Sequence, residues 1–104
     1  MRGKKTFVLD FSGIKARWEL HEFLKEIFRL PDYYGRNLDA LWDCLYCCYD
    51  SNTTIQLRNL NKVPEDLRDE IKIMLELFWE LNEKDGVIIQ LDPNDTSNFS
   101  GYLV

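Results

Sequence analysis

Between residues 53 and 91 the chain runs TTIQLRNLNKVPEDLRDEIKIMLELFWELNEKDGVIIQL, two short runs rich in β-branched residues on either side of a long helical pattern. Residues 53–57 (TTIQL) and 87–91 (VIIQL) have the length and composition of strands. After a polar stretch and Pro64, the residues Leu67, Ile71, Met74, Leu75, Phe78 and Leu81 recur at helical spacing. The spacing predicts a helix from about residue 65 to 84 with these side chains inward. Gly86 is placed to stop it, because glycine adopts the left-handed conformation that ends many helices without steric cost. Strand, helix and strand in this order imply a parallel pair joined by a right-handed crossover.

Upstream the same alternation continues. Residues 6–11 (TFVLDF) predict a first strand, ended by Ser12 and Gly13. From about residue 16 to 29, Leu20, Phe23, Leu24 and Ile27 predict a helix that Pro31 closes. Residues 32–36 then form a loop with Gly35 as its turn residue, and Asn37 caps a helix that begins at Leu38. On that helix Leu38, Leu41, Leu45 and Cys48 make one inward row, while Asp39, Asp43, Tyr46 and Asp50 make a second row turned toward solvent. The expected fold is α/β: a small three-stranded parallel sheet packed with three to four helices. The middle and last strands are apolar or β-branched enough for partial cover on both faces. Residues 92–104 (DPNDTSNFSGYLV) read as a loosely held tail, in which Phe99, Tyr102 and Leu103 are able to dock.

The 104 residues make one domain with a single small core. A formal net charge of −5 and a pI near 4.8 argue against nucleic acid or an anionic membrane as direct partner, since phosphate binding needs clustered lysine and arginine. The balance favours a cationic partner. No apolar run approaches the roughly 20 residues of a membrane span. The apolar run after the basic start is too short for a signal peptide, so a cytoplasmic protein is expected. Cys44, Cys47 and Cys48 sit within one short helical stretch, too close for a conventional disulfide framework. A structural zinc site needs further ligands, and His21 is the sole histidine. Buried or half-buried reduced thiols are therefore expected, with no metal and no cofactor.

The pair Asp39 and Asp43, one helical turn apart beside Trp42, admits three readings. A solvated helix face explains Asp39, which sits in the first turn near the positive end of the helix dipole, better than it explains Asp43. An acid–base pair is a second reading, but nothing beside it supplies a nucleophile or a base. A protein-binding face is the third: the carboxylates meet basic side chains, and Tyr33, Tyr34 and Trp42 supply aromatic anchors.

The stretch from Leu30 to Leu45, LPDYYGRNLDALWDCL, resembles the signature of the barstar family, intracellular inhibitors of secreted bacterial ribonucleases. Around it, in the family's order, come the first strand, Leu20-His21, Leu57-Arg58 and Phe78-x-Glu80, so the resemblance spans roughly residues 5–91. It implies a barstar-like domain over residues 1–91, a three-stranded parallel sheet with helices, and no enzymatic activity. It also implies that the second helix and the preceding loop plug the active site of a basic ribonuclease or RNase toxin. Carried across, Asp43 resembles the central carboxylate that takes the place of a substrate phosphate, and Asp39 one that pairs with an arginine of the enzyme. Tyr33 resembles the aromatic residue that packs on the catalytic histidine. Asn37, Leu38 and Trp42 match neighbouring contact positions, and Glu80 a carboxylate from the last helix. The protein would be a monomer when free. Tyr34 is assigned to packing. Arg36 stands where the family has a glutamate, and Cys47 and Cys48 replace a glycine and a tryptophan, which points to a ribonuclease other than barnase. The alternative is the same fold and acidic face serving a partner that is not a ribonuclease.

Overall fold

A computed structural model describes residues 4–46 and 48–92. The element order is β1 (Lys5–Asp10), α1 (Arg17–Phe28), α2 (Leu38–Leu45), β2 (Thr53–Arg58), α3 (Arg68–Asp85) and β3 (Ile88–Leu91), with single 3₁₀ turns at Leu60–Lys62 and Glu65–Leu67. The three strands form one parallel sheet in the order β1-β2-β3, as the alternation of strands and helices implied. Strand bounds differ from expectation by one residue at an end or two.

The register puts Phe7, Ile55 and Ile89 in one row across the sheet, and Leu9, Leu57 and Leu91 in the next. These rows meet the helices. Leu20, Leu24 and Phe28 of α1, Leu41 and Leu45 of α2, and Ile71, Met74, Leu75, Phe78 and Leu81 of α3 form a single buried cluster with Phe7, Leu9, Ile55 and Leu57, and the half-buried Ile89 and Leu91 pack against it. Every residue assigned to the inward side of the long helix is buried, and Leu77 joins them. The opposite rows are Thr6, Thr54 and Ile88, then Val8, Gln56 and Gln90, and they are exposed or half-covered. The expected cover on both faces is thus not found for β3, whose Ile88 is exposed. The helices that bury apolar surface do so in one cluster, which needs only one face of the sheet.

Helix ends follow local rules. Arg29, in the left-handed region, closes α1 by donating its N–H to the Glu26 carbonyl, and Leu30 N–H reaches back to Lys25. Pro31 therefore follows the stop and does not make it. Gly86 ends α3 at φ 74°, where a side chain would press on Ser51 at 3.3 Å. The first turn of the long helix, Glu65–Leu67, is 3₁₀ and not α. Residues 93–104, with the expected tail and its Phe99, Tyr102 and Leu103, lie outside the described residues.

Three expectations around α2 are corrected. The positive φ of the loop falls on Arg36 (52°), not on Gly35. The helix ends at Leu45, with Tyr46 already out of helical conformation at ψ 127°, so Asp50 leaves the outward row and is half-buried in the turn before β2. There its carbonyl accepts the Thr53 N–H and its side chain the Asn52 N–H. For the same reason Cys48 leaves the inward row. It is exposed, with its thiol donating to the Cys44 carbonyl, whereas Cys44 is half-buried as expected. Cys47 lies outside the described residues.

Candidate partner-binding face

The second helix has eight residues, too short to be stable alone, so it depends on its cap and on packing against the core. Asn37 caps it: the side-chain oxygen accepts the Ala40 N–H at 2.8 Å, and the side-chain amide donates to the Gly35 carbonyl at 3.1 Å. Leu41 and Leu45 fix one side in the core. What remains outward is Asp39 and Asp43, both exposed, with Trp42 half-buried beside them. The two carboxylates sit at i and i+4, where side chains on a helix stand about 5–6 Å apart.

Two hollows flank the helix. One, of about 270 Å³, is lined by Leu38, Asp39 and Trp42 from α2 and by Ile73, Glu76, Leu77 and Glu80 from α3. It gathers four of the residues singled out by the sequence. The other, of about 420 Å³, has Tyr33 and Asp43 in its wall together with Cys44, Cys48 and Tyr49. Tyr33 is 86% exposed, an aromatic ring given almost wholly to solvent. Asn37 lines neither hollow and acts on the helix start. Tyr34, by contrast, is buried, and burial pushes its hydroxyl pKa up to about 12, with Cys44 and Glu70 adding to the effect.

Sequence reading missed Ile73, Glu76 and Lys84. Ile73 is apolar but off the inward row of α3, which is the signal that could have found it; it is half-exposed at the groove. Glu76 precedes Glu80 by one turn, which puts a further carboxylate in the same groove. Lys84 Nζ stands 5.3 Å from the Trp42 ring centre and 5.9 Å from that of Tyr46, and the two rings lie 5.5 Å apart. No spacing rule connects the end of α3 with the end of α2, so only the fold reveals it.

Beneath the face lies a buried polar row. His21, fully buried on α1, places Nδ1 2.7 Å from the Tyr34 hydroxyl and Nε2 3.1 Å from Glu70 Oε1 on α3. Burial lowers the His21 pKa, opposed by the Glu70 hydrogen bond. A neutral imidazole donates through Nε2–H to Glu70 and accepts the Tyr34 hydroxyl at Nδ1. The Tyr34 hydroxyl carries one proton, so the Asn37 carbonyl, 3.3 Å away, competes with His21 Nδ1 for it. Among the described residues no cluster of histidine, cysteine, aspartate or glutamate is arranged to hold a metal ion. Nor is any helix among them long and apolar enough to cross a membrane.

Residues 4–92 match the family model described as Barstar (barnase inhibitor). A Bacillus subtilis (strain 168) protein named "Putative ribonuclease inhibitor YrdF" is 39% identical over an 85-residue alignment that covers 64% of this chain and 90% of that protein.

Proposed function

The chain belongs to the barstar family, a family of inhibitors and not of enzymes, and from that premise we propose that it blocks the active site of a basic bacterial ribonuclease with α2 and the loop before it. The observation that carries the reading is the exposed pair Asp39 and Asp43 on a helix whose other side is locked into the core. A ribonuclease gathers arginine, lysine and histidine around the phosphate it cleaves. A rigid carboxylate pair presented one turn apart imitates that phosphate charge without offering a bond to break. Asp43 takes the place of the scissile phosphate, and Asp39 and Glu80 pair with cations at the rim. Tyr33 and Trp42 supply aromatic contact, and Asn37 and Leu38 complete the surface.

Complementary charge would also steer the encounter, so association should fall as salt rises. The name of the Bacillus subtilis relative supports a ribonuclease as the partner. No cofactor or metal enters this mechanism, and the free protein is a cytoplasmic monomer that protects its host as an immunity protein.

The test is an RNA-cleavage assay with a barnase-type ribonuclease, titrated with wild type and with Asp43→Ala. The expected result is stoichiometric inhibition by the wild type. Asp43→Ala should lose about 2–5 kcal/mol of binding, a range that complexes of this family themselves helped to set. Because Asp43 is exposed, thermal stability should move by no more than about 0.5 kcal/mol. Equal losses of binding and stability would make Asp43 a structural residue and sink the mimicry.

A further inference from the structure

Arg36 is the one cation in the loop between Asp32 and Asn37, and on a face built to meet a basic enzyme it stands as an apparent contradiction. The structure shows where its charge goes. Arg36 Nε donates to Glu22 Oε1 at 2.6 Å, and Nη2 reaches the same oxygen at 2.5 Å. Its own carbonyl accepts from Arg17 Nη2 at 3.3 Å. Glu22 and Arg17 both belong to α1, and between them His21 holds the hydroxyl of Tyr34. One helix therefore grips the loop at three residues: Asp32 through Lys25 at 3.4 Å, Tyr34 through a buried hydrogen bond, and Arg36 through side chain and backbone.

The backbone of Arg36 explains why a grip is needed. It sits at φ 52°, a conformation that residues with a Cβ adopt against preference and that persists where the surroundings over-determine it. The next residue, Asn37, is the cap on which α2 depends. Exposed ion pairs such as this one, about half-exposed on both partners, add little to overall stability. What they can do is hold a loop in its bound shape before the partner arrives, which slows dissociation more than it alters association.

We infer that Arg36 is a positioning residue, held by Glu22 and Arg17 of α1, which with the His21–Tyr34 pair pre-shapes the loop carrying Tyr33 and Asn37 for the partner. The inference rests on the inhibitor reading for its consequence in binding, but the grip itself is a property of the free protein. Charged groups facing the loop include Arg17, Glu22 and Lys25 on α1, the last paired with Asp32, and Glu70 on α3, which is bonded to His21 and 3.5 Å from Arg17 Nε.

Two measurements test it. In the free protein, ¹⁵N relaxation of the Arg36 Nε–H and of backbone amides 34–37 should show an ordered side chain and loop. Glu22→Gln and Arg36→Ala should loosen the loop, and the exchanged pair Glu22→Arg with Arg36→Glu should restore it. Equal loop order in wild type and Glu22→Gln would overturn the proposal, whatever any ribonuclease does. Against a ribonuclease that the wild type inhibits, Glu22→Gln should speed dissociation about three- to fivefold with association little changed, and the exchanged pair should recover the slow rate. If Arg36→Ala instead speeds association at low salt and leaves dissociation alone, Arg36 is a free repelling cation and the proposal fails. A wild type that inhibits no ribonuclease would refute the function reading, while the relaxation data would still decide the grip.

Discussion

Asp39 of α2 and Glu80 of α3 line the same groove from two different helices, with Trp42 in its wall. Two carboxylates far apart in sequence thus share one small patch of surface, and a single partner cation entering the groove would feel both. Asp39→Ala and Glu80→Ala should each weaken ribonuclease binding. Their effects should fail to add, with a coupling of about 0.5–3 kcal/mol in a double-mutant cycle. Additive losses would show that they meet separate partner groups.

Lys84 opposes this acidity from above the Trp42 ring. Replacing it with alanine removes a positive charge from the approach path of a basic enzyme. Lys84→Ala should raise the association rate in low salt, and the gain should vanish near physiological ionic strength, where the screening length is about 8 Å. Stopped-flow association at two salt concentrations reads both effects.

His21 carries a pH signature with a definite sign. Burial lowers its pKa, so the unfolded chain takes up a proton at a higher pH than the native protein does. Its contribution to stability is therefore complete above the ordinary value of about 6.5 and is lost as pH falls from there toward the lowered native value. Urea midpoints measured from pH 7.5 to 5 should decline in the wild type, and the decline should be shallower in His21→Gln. At pH 7.5 that variant should be less stable by about 1–3 kcal/mol, because Tyr34 and Glu70 lose a buried partner.

The two described thiols should differ in reactivity. Cys48 is exposed, whereas Cys44 is half-buried and its pKa is raised by burial, with Asp43 and Cys48 adding to the effect. In a Cys47→Ser background a thiol reagent should label Cys48 first. Cys48 shares a hollow with Tyr33 and Asp43, so a bulky label there should abolish inhibition while leaving the fold intact, as judged by far-UV circular dichroism.

Most of the fold was legible because hydrophobic period and stop signals agree in this chain. The inward row of α3, the cap at Asn37 and the stop at Gly86 each rest on a local rule and hold in the structure. The failures came where a local rule competes with tertiary packing. The outward row of α2 was projected past Leu45 to Asp50, but the chain must turn there to enter β2, and the turn takes Asp50 and Cys48 with it. Gly35 was read as the turn residue of the loop by propensity, yet the left-handed conformation falls on Arg36, which α1 holds. Of the candidate site, Asp39, Asp43 and Trp42 stood out by their spacing on α2, while Leu38 and Glu80 came from the family resemblance. Ile73, Glu76 and Lys84 were not read, since their place depends on how two helices lie side by side.

The eight residues of α2 grade from core to solvent. Leu41 and Leu45 are buried and key the helix to the core, Leu38, Ala40, Trp42 and Cys44 pack partly against it, and Asp39 and Asp43 are exposed. Exchange of Asp39 or Asp43 for another polar residue therefore leaves the buried keys of the helix in place, so the outward chemistry of α2 is separable from its fold.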